Sequence, residues 1–209
     1  MHDLVEWLNW RYRVVPAPWW ALFGIYLTLL VGAWTLENLL LRRIRRITGD
    51  PIEGARTDRR YIPLWILQAL LLLFPLWRAG RWTSPIPFSW TISIVATLVA
   101  LAGMFLRLYS IYYLRENFTY IVNVKAGHRL VTTGPYRYVR HPAYTGLIVY
   151  FTGVAFVLSD LYIWFIIIGY VGAVVWRRIR MEERSLRKHF GDEYEAWRRR
   201  TKYLIPYVL

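Results

Sequence analysis

The 209 residues are 56% hydrophobic and only 19% charged, with a mean hydropathy of +0.27. Their apolar content falls in long blocks, which excludes an ordinary soluble domain and points to a membrane protein. Lys plus Arg number 27 against 13 Asp plus Glu, a formal net charge of +14, while the lack of Cys excludes disulfides, thiolate catalysis and Cys-ligated metal centres.

Five spans are expected in chain order. The first runs from Trp19 to Leu41 and is apolar except for Glu37 and Asn38 near its end. The second, Tyr61 to Trp77, is close to the shortest length that crosses hydrocarbon. The third covers Phe88 to Leu108. The fourth, Ala143 to Ser159, and the fifth, Leu161 to Trp176, are separated only by Asp160, so Ser159-Asp160 is expected to be a tight turn between antiparallel helices. Pro142 suits the first turn of the fourth helix, where its missing N–H costs nothing. Met1-His2-Asp3 does not open a basic n-region followed by a short apolar core, and no removable signal peptide is expected.

Position decides what the positive charge is for. Basic residues cluster between spans one and two, between spans three and four, and after span five, giving 23 on one face against 4 on the other. The positive-inside rule then puts the N-terminus outside and the C-terminus in the cytoplasm. The charge serves topology and attraction to anionic lipid, and no nucleic-acid partner is expected. The 12 Trp and 16 Tyr suit interfacial belts. Asn117-Phe118-Thr119 is a glycosylation sequon by pattern, but it falls on the cytoplasmic face and should be unmodified.

The polar chemistry lies in two stretches of the second half. One runs from His128 to Gly146, where Gly134-Pro135 and His141-Pro142 bracket a conformationally restricted segment. Arg140 and His141 stand just before the fourth helix, whose free N–H groups and dipole favour an anion. The other stretch runs from Trp176 to Pro206. Its helix has no breaker until Gly191, a natural stop in a left-handed cap, after which Asp192 and Glu195 suit the N-cap of a short terminal helix. Contact with lipid headgroups explains Arg177, Arg180, Arg184, Arg187 and Lys188. It does not explain Glu182-Glu183, because carboxylates gain nothing beside anionic lipid. Arg178 and Glu182 are four apart and share one helix face. Arg137 and Tyr138 are taken as anchoring and interfacial residues.

Arg140-His141-Pro142-Ala143-Tyr144-Thr145-Gly146 resembles the RHPxYxG motif of the isoprenylcysteine carboxyl methyltransferases and their prokaryotic relatives. Glu182-Glu183, Phe190-Gly191-Asp192-Glu193-Tyr194 and Arg200-Thr201 with Ile205-Pro206 are similar to the same family's tail in order and spacing. The resemblance covers roughly residues 115 to 206. Phospholipid N-methyltransferases and membrane sterol reductases carry related cores.

What the resemblance implies is an all-α, multi-pass membrane enzyme using S-adenosylmethionine without a Rossmann domain, its active site facing the cytoplasm. The lack of any GxGxxG agrees. Residues 1–110 would hold the first three spans and residues 111–209 the methyltransferase core. By the resemblance, the cofactor contacts fall on Asn123, His128, Arg129, Leu130, Val131, Tyr136, His141, Pro142, Ala143, Tyr144 and Glu182, and the substrate contact on Arg178. The donor brings a sulfonium, an ammonium, a carboxylate and an adenine. Glu182 can answer the ammonium, Arg140 with the helix start the carboxylate, and Tyr136 and Tyr144 the adenine or sulfonium. Arg178, Glu182 and Arg140 are thus the expected catalytic group, with no metal. The acceptor would be a lipophilic small molecule or prenylated substrate entering from the bilayer. Prenylcysteine O-methylation is the family archetype. Lipid-amine N-methylation, with Glu183 or His141 as base, is the alternative; a nicotinamide-dependent sterol-type reductase and a non-catalytic scaffold stand behind it.

Overall fold

The computed structural model describes residues 19–48, 90–114, 129–157 and 161–204. The second expected span, the Ser159-Asp160 turn, the sequon, Asn123 and His128 lie outside those residues. Four α-helices carry the described chain: α1 (Trp19–Thr48), α2 (Trp90–Leu114), α3 (Pro142–Val157) and α4 (Leu161–Arg200), with a short 3₁₀ turn, Gly134–Arg137, before α3. They correspond to the first, third, fourth and fifth expected spans. Among the described residues there is no sheet, only an isolated parallel bridge between Val139 and Lys202.

Three of the helices, α1, α2 and α4, outrun their expected apolar spans because nothing stops them there. In α1 the residues after Leu41 are mostly arginines, good helix formers, and the first breaker is Gly49. In α2 the run Tyr109-Ser110-Ile111-Tyr112-Tyr113-Leu114 contains no Gly or Pro and stays helical. Pro142 opens α3 as expected, and the His141 carbonyl accepts the N–H groups of Tyr144 and Thr145, both at 3.0 Å. At Gly191 the expected left-handed cap takes another form. Its φ of 49° and ψ of −119° lie in a region open to glycine alone, and helix resumes at once on the far side. Glu195 serves there as an ion-pair partner, bridging the kink to Arg187 at 2.7 Å and meeting Arg198 at 3.0 Å.

Among the described helices, α2 packs most closely on α3. Gly103, Gly146 and Gly153 lie where the two backbones meet, and a Cβ on Gly146 would sit 2.6 Å from the Arg107 backbone nitrogen. Small residues at such spacing let helices approach to backbone contact, the packing mode used inside membranes. On the other side of α3, α4 contributes Ile167, Val171, Val175 and Ile179, spaced by four and all buried. Tyr26 and Leu30 bring α1 to the same core, and the Tyr150 hydroxyl donates to the Leu29 carbonyl at 2.9 Å.

The outer faces are apolar too: Leu98, Leu101, Phe105, Phe165 and Ile166 are all exposed. Exposed apolar area on this scale is what a lipid-facing surface carries. Two described helices, over residues 24–44 and 90–114, are long and apolar enough to cross a membrane, and α3 is a shorter apolar helix.

A buried ion pair joins α1 to α2. Arg107 donates through Nε and Nη2 to the two oxygens of Glu37, both at 2.7 Å, and through Nη1 to the Ala143 carbonyl at 3.3 Å. Arg107 is therefore a buried residue of the helix and not one of the loop charges that set topology.

Candidate active site

The expected site residues converge where α3 begins and α4 leaves its apolar half. The 3₁₀ turn buries Tyr136, whose hydroxyl donates to the Ser110 carbonyl of α2 at 3.4 Å while its own carbonyl accepts the Trp197 indole N–H at 3.1 Å. Three residues after the bridge at Val139 the chain enters α3 at Pro142, and His141, just before it, is buried at 3% exposure. Tyr144, one turn into α3, receives Arg178 Nε on its hydroxyl at 3.2 Å, and its ring lies 5.9 Å from that of His141. One turn further along α4, Glu182 Oε2 stands 4.0 Å from His141 Nδ1.

Burial first and then the negative charge of Glu182 push the Tyr136 phenol well above its ordinary value, with Tyr144 adding to the effect and Arg107 opposing it. Tyr136, Tyr144, Glu182, Arg107 and Arg178 therefore share one electrostatic neighbourhood. A carboxylate beside two aromatic rings, still about one-third exposed, suits a ligand carrying a cation and a flat ring. Pro142 and Ala143 are buried beneath this cluster, Leu130 and Val131 pack against Tyr136, Tyr194 and Trp197, and Arg129 is exposed.

Glu183, not Glu182, is the hub of the ion pairs. Its Oε1 accepts from Arg140 Nε at 3.0 Å and lies 3.3 Å from His141 Nε2. Burial alone would raise this carboxyl, but the His141 hydrogen bond and the positive charges of His141 and Arg140 outweigh it and hold the pKa at about 2. The Tyr194 hydroxyl is buried beside Glu183; burial first, then the charge and hydrogen bond of Glu183, raise its pKa.

Arg140, expected at an anion, is engaged by the protein itself. Its Nη1 donates to the Arg198 and Thr201 carbonyls at 3.1 and 2.8 Å, and its backbone N–H donates to Lys202 O at 2.8 Å. These bonds, with Thr145 Oγ1 donating to Leu204 O at 2.6 Å, lace residues 201–204 over the start of α3. The Tyr203 ring then sits 5.5 Å from His141 and 5.2 Å from the Arg140 guanidinium carbon.

Glu183, Thr201 and the Arg107–Glu37 pair carry more of this geometry than the motifs alone suggested. A lone Arg within the apolar run Met104–Ile111 and a lone Glu in the first span were the available signals, since isolated charges at membrane depth need a partner. An apolar cavity of about 310 Å³, lined by Val95, Val99 and Phe156 among others, lies toward the opposite ends of α2 and α3 and presents no ionisable group.

Comparison with known proteins matches residues 91–193 to the family model described as phospholipid methyltransferase. The protein-S-isoprenylcysteine O-methyltransferase of Schizosaccharomyces pombe (strain 972 / ATCC 24843) is 34% identical over 112 residues, covering 51% of this chain and 46% of that protein. A probable protein-S-isoprenylcysteine O-methyltransferase of Oryza sativa subsp. indica is 28% identical over 125 residues, covering 57% of this chain and 63% of that protein. The chain thus spans less than two thirds of the length of these curated relatives. In fold it is similar to a solved structure of the eukaryotic intramembrane Ras methyltransferase, isoprenylcysteine carboxyl methyltransferase. That likeness has a TM-score of 0.65 and covers 93% of this chain and 70% of that one at 22% identity.

Proposed function

We propose that the protein, which is similar to protein-S-isoprenylcysteine O-methyltransferases over about half its length, is an integral membrane methyltransferase. It takes its methyl group from S-adenosylmethionine and acts on a lipophilic carboxylate of the prenylcysteine type. The observation that carries this is the meeting of Tyr136, His141, Tyr144, Arg178 and Glu182 in one cluster, although they come from two blocks about forty residues apart.

When bound, S-adenosylmethionine supplies a methyl group activated by its sulfonium; S-adenosylhomocysteine is the product. Glu182 holds the ammonium group, and Tyr136 and Tyr144 offer aromatic faces to the adenine or the sulfonium. Arg129, Leu130, Val131, Pro142 and Ala143 complete the wall, with Asn123 and His128 assigned by resemblance. Residues 201–204 exclude water from the cluster. Arg178, on the same face of α4 as Glu182, would orient an acceptor carboxylate toward the methyl group that the donor would supply. Most of the rate then comes from holding the two reactants in line. Arg140 serves by fastening the C-terminal segment.

The low pKa of Glu183 tells against that carboxyl as the base for N-methylation of a lipid amine, which the phospholipid methyltransferase model keeps as the second reading with His141 as its other candidate base. A carboxylate acceptor needs no base. An ammonium acceptor does, and a carboxyl held at about 2 is a poor one at neutral pH.

We assign five spans, with residues 1–110 carrying the first three and residues 111–209 the transferase core, the N-terminus outside and the site facing the cytoplasm. The loop charge supports that orientation. The test is methyl transfer from labelled S-adenosylmethionine to N-acetyl-S-farnesylcysteine by the purified protein in detergent. A base-labile methyl ester is expected. Label appearing only in an amine lipid would establish the second reading.

A further inference from the structure

Glu37 is the only charged residue between Trp19 and Leu41, and Arg107 is the only one in α2. Ionisable groups inside apolar spans are costly to keep, and where they are kept they pair and serve function. These two meet through two hydrogen bonds of 2.7 Å, with side chains 15% and 11% exposed. A guanidinium fork closed on both oxygens of a carboxylate keeps the two groups ionised, so the pair as a whole is neutral.

Arg107 is also a neighbour of the site. Its Nη1 donates to the carbonyl of Ala143, the residue before Tyr144, and less than one turn further along α2 the Ser110 carbonyl accepts the Tyr136 hydroxyl. The positive charge of Arg107 is felt at the Tyr136 phenol, where it opposes the effects of burial and of Glu182. Tyr136 and Tyr144 are the rings that the proposed reading offers to the donor. A guanidinium left uncompensated beside them would repel a sulfonium, and the charge is too deeply placed for salt to screen it well. Glu37 cancels that charge at its source. The two forms of the cofactor differ in the property concerned: S-adenosylmethionine carries a positive charge on sulfur, and S-adenosylhomocysteine has a neutral thioether there.

We infer that Glu37 is a positioning residue of the methyltransferase: by closing on Arg107 it cancels a positive field at the site and so sets the preference for the charged donor over its neutral product. It acts through Arg107, and it brings α1, which carries none of the motif residues, into the chemistry. The inference rests on the methyltransferase reading for the identity of the cation.

Titration calorimetry of the detergent-purified protein with S-adenosylmethionine and, separately, with S-adenosylhomocysteine reads this preference as a ratio of two affinities. A purely structural loss weakens both ligands alike and leaves the ratio unmoved. In Glu37→Gln the ratio should shift about tenfold against the donor, the scale of one uncompensated charge at a partly buried site. The double variant Glu37→Gln with Arg107→Gln, which lacks both charges, should return the ratio to its parental value. An unchanged ratio in the single variant, or one still lowered in the double variant, overturns the inference. If Glu37→Gln does not fold, Arg107→Gln decides: the carboxylate is left without its guanidinium, and the ratio should move in favour of the donor. A ratio at or below the parental one then overturns the inference. A parent that binds neither ligand refutes the methyltransferase reading instead, so the two failures are distinguishable.

Discussion

Arg178 and Glu182 lie one turn apart on α4, yet on the proposed reading they meet different reactants. Arg178 reaches the Tyr144 hydroxyl, and Glu182 stands opposite His141. Arg178→Lys keeps the charge and loses the planar fork. On a prenylcysteine analogue it should cost roughly thirtyfold to a hundredfold in kcat/KM, on the order of 2–3 kcal/mol, while S-adenosylhomocysteine affinity hardly changes. Glu182→Ala should do the reverse and weaken S-adenosylhomocysteine at least tenfold, as loss of a charge-assisted contact requires. Titration calorimetry beside a steady-state assay separates the two, and equal effects of both substitutions on both quantities would refute the division of labour. The spacing of Arg178 and Glu182 was legible in the sequence. The distinct role of Glu183 was not, because two adjacent carboxylates look alike until the helix turns one of them toward Arg140 and His141.

Glu183 also gives the fold a signed dependence on pH. Its folded pKa of about 2 lies below the ordinary 4.5, so its contribution is fully present above pH 4.5 and is lost as pH falls through about 2. The thermal midpoint of the parent in detergent should hold from pH 7 to 5 and then fall. Glu183→Gln should start lower at pH 7 and lose less on acidification. A variant whose acid loss equals that of the parent would show that this pair contributes nothing to stability.

Among the elements, the α2–α3 contact is the rigid base on which the site stands, because α2 brings Arg107 and the Ser110 carbonyl to the start of α3. Its glycines are not interchangeable with those of α4. A side chain at Gly146 meets the backbone of α2, which cannot yield, whereas one at Gly172 meets nothing within 4 Å. Gly146→Val should therefore cost at least the 1–3 kcal/mol typical of overpacking and lower the unfolding midpoint in detergent. Gly172→Ala should hold or raise it, since alanine is the better helix former by about 1 kcal/mol. Equal midpoints in the two variants would remove the close crossing from the account. The apolar runs of α1, α2 and α3 and the Pro142 start could be read from composition and breakers alone. The extensions to Thr48 and Leu114 could not, because the end of an apolar run is where lipid contact stops, not where helical hydrogen bonding stops. Gly191 was readable as the break between a long helix and a short terminal one, though not as a kink that helix crosses at once.

At the scale of the whole molecule, two motif blocks distant in sequence meet because α4 runs beyond its apolar half and the chain after Gly191 folds back to lay residues 201–204 beside Val139. That meeting follows from packing: Tyr194 and Trp197 seat against Tyr136, and the backbone pairs Arg140 with Lys202. No local signal announces it. The proposed orientation rests on loop charge. The chain has no Cys, so single cysteines introduced at Thr57 and Lys202 can be labelled without background. Both should react only from the cytoplasmic side in sealed vesicles; labelling of either from outside would contradict the assigned topology.

The central claim is that residues from α3, α4 and the 3₁₀ turn build a seat for a methyl donor without a Rossmann domain. Calorimetric titration of the detergent-purified protein with S-adenosylhomocysteine, and in parallel with NADPH, tests it most directly. The account predicts saturable binding of S-adenosylhomocysteine that is lost in Glu182→Ala, and no binding of NADPH. Binding of NADPH instead, or of neither ligand, would contradict it.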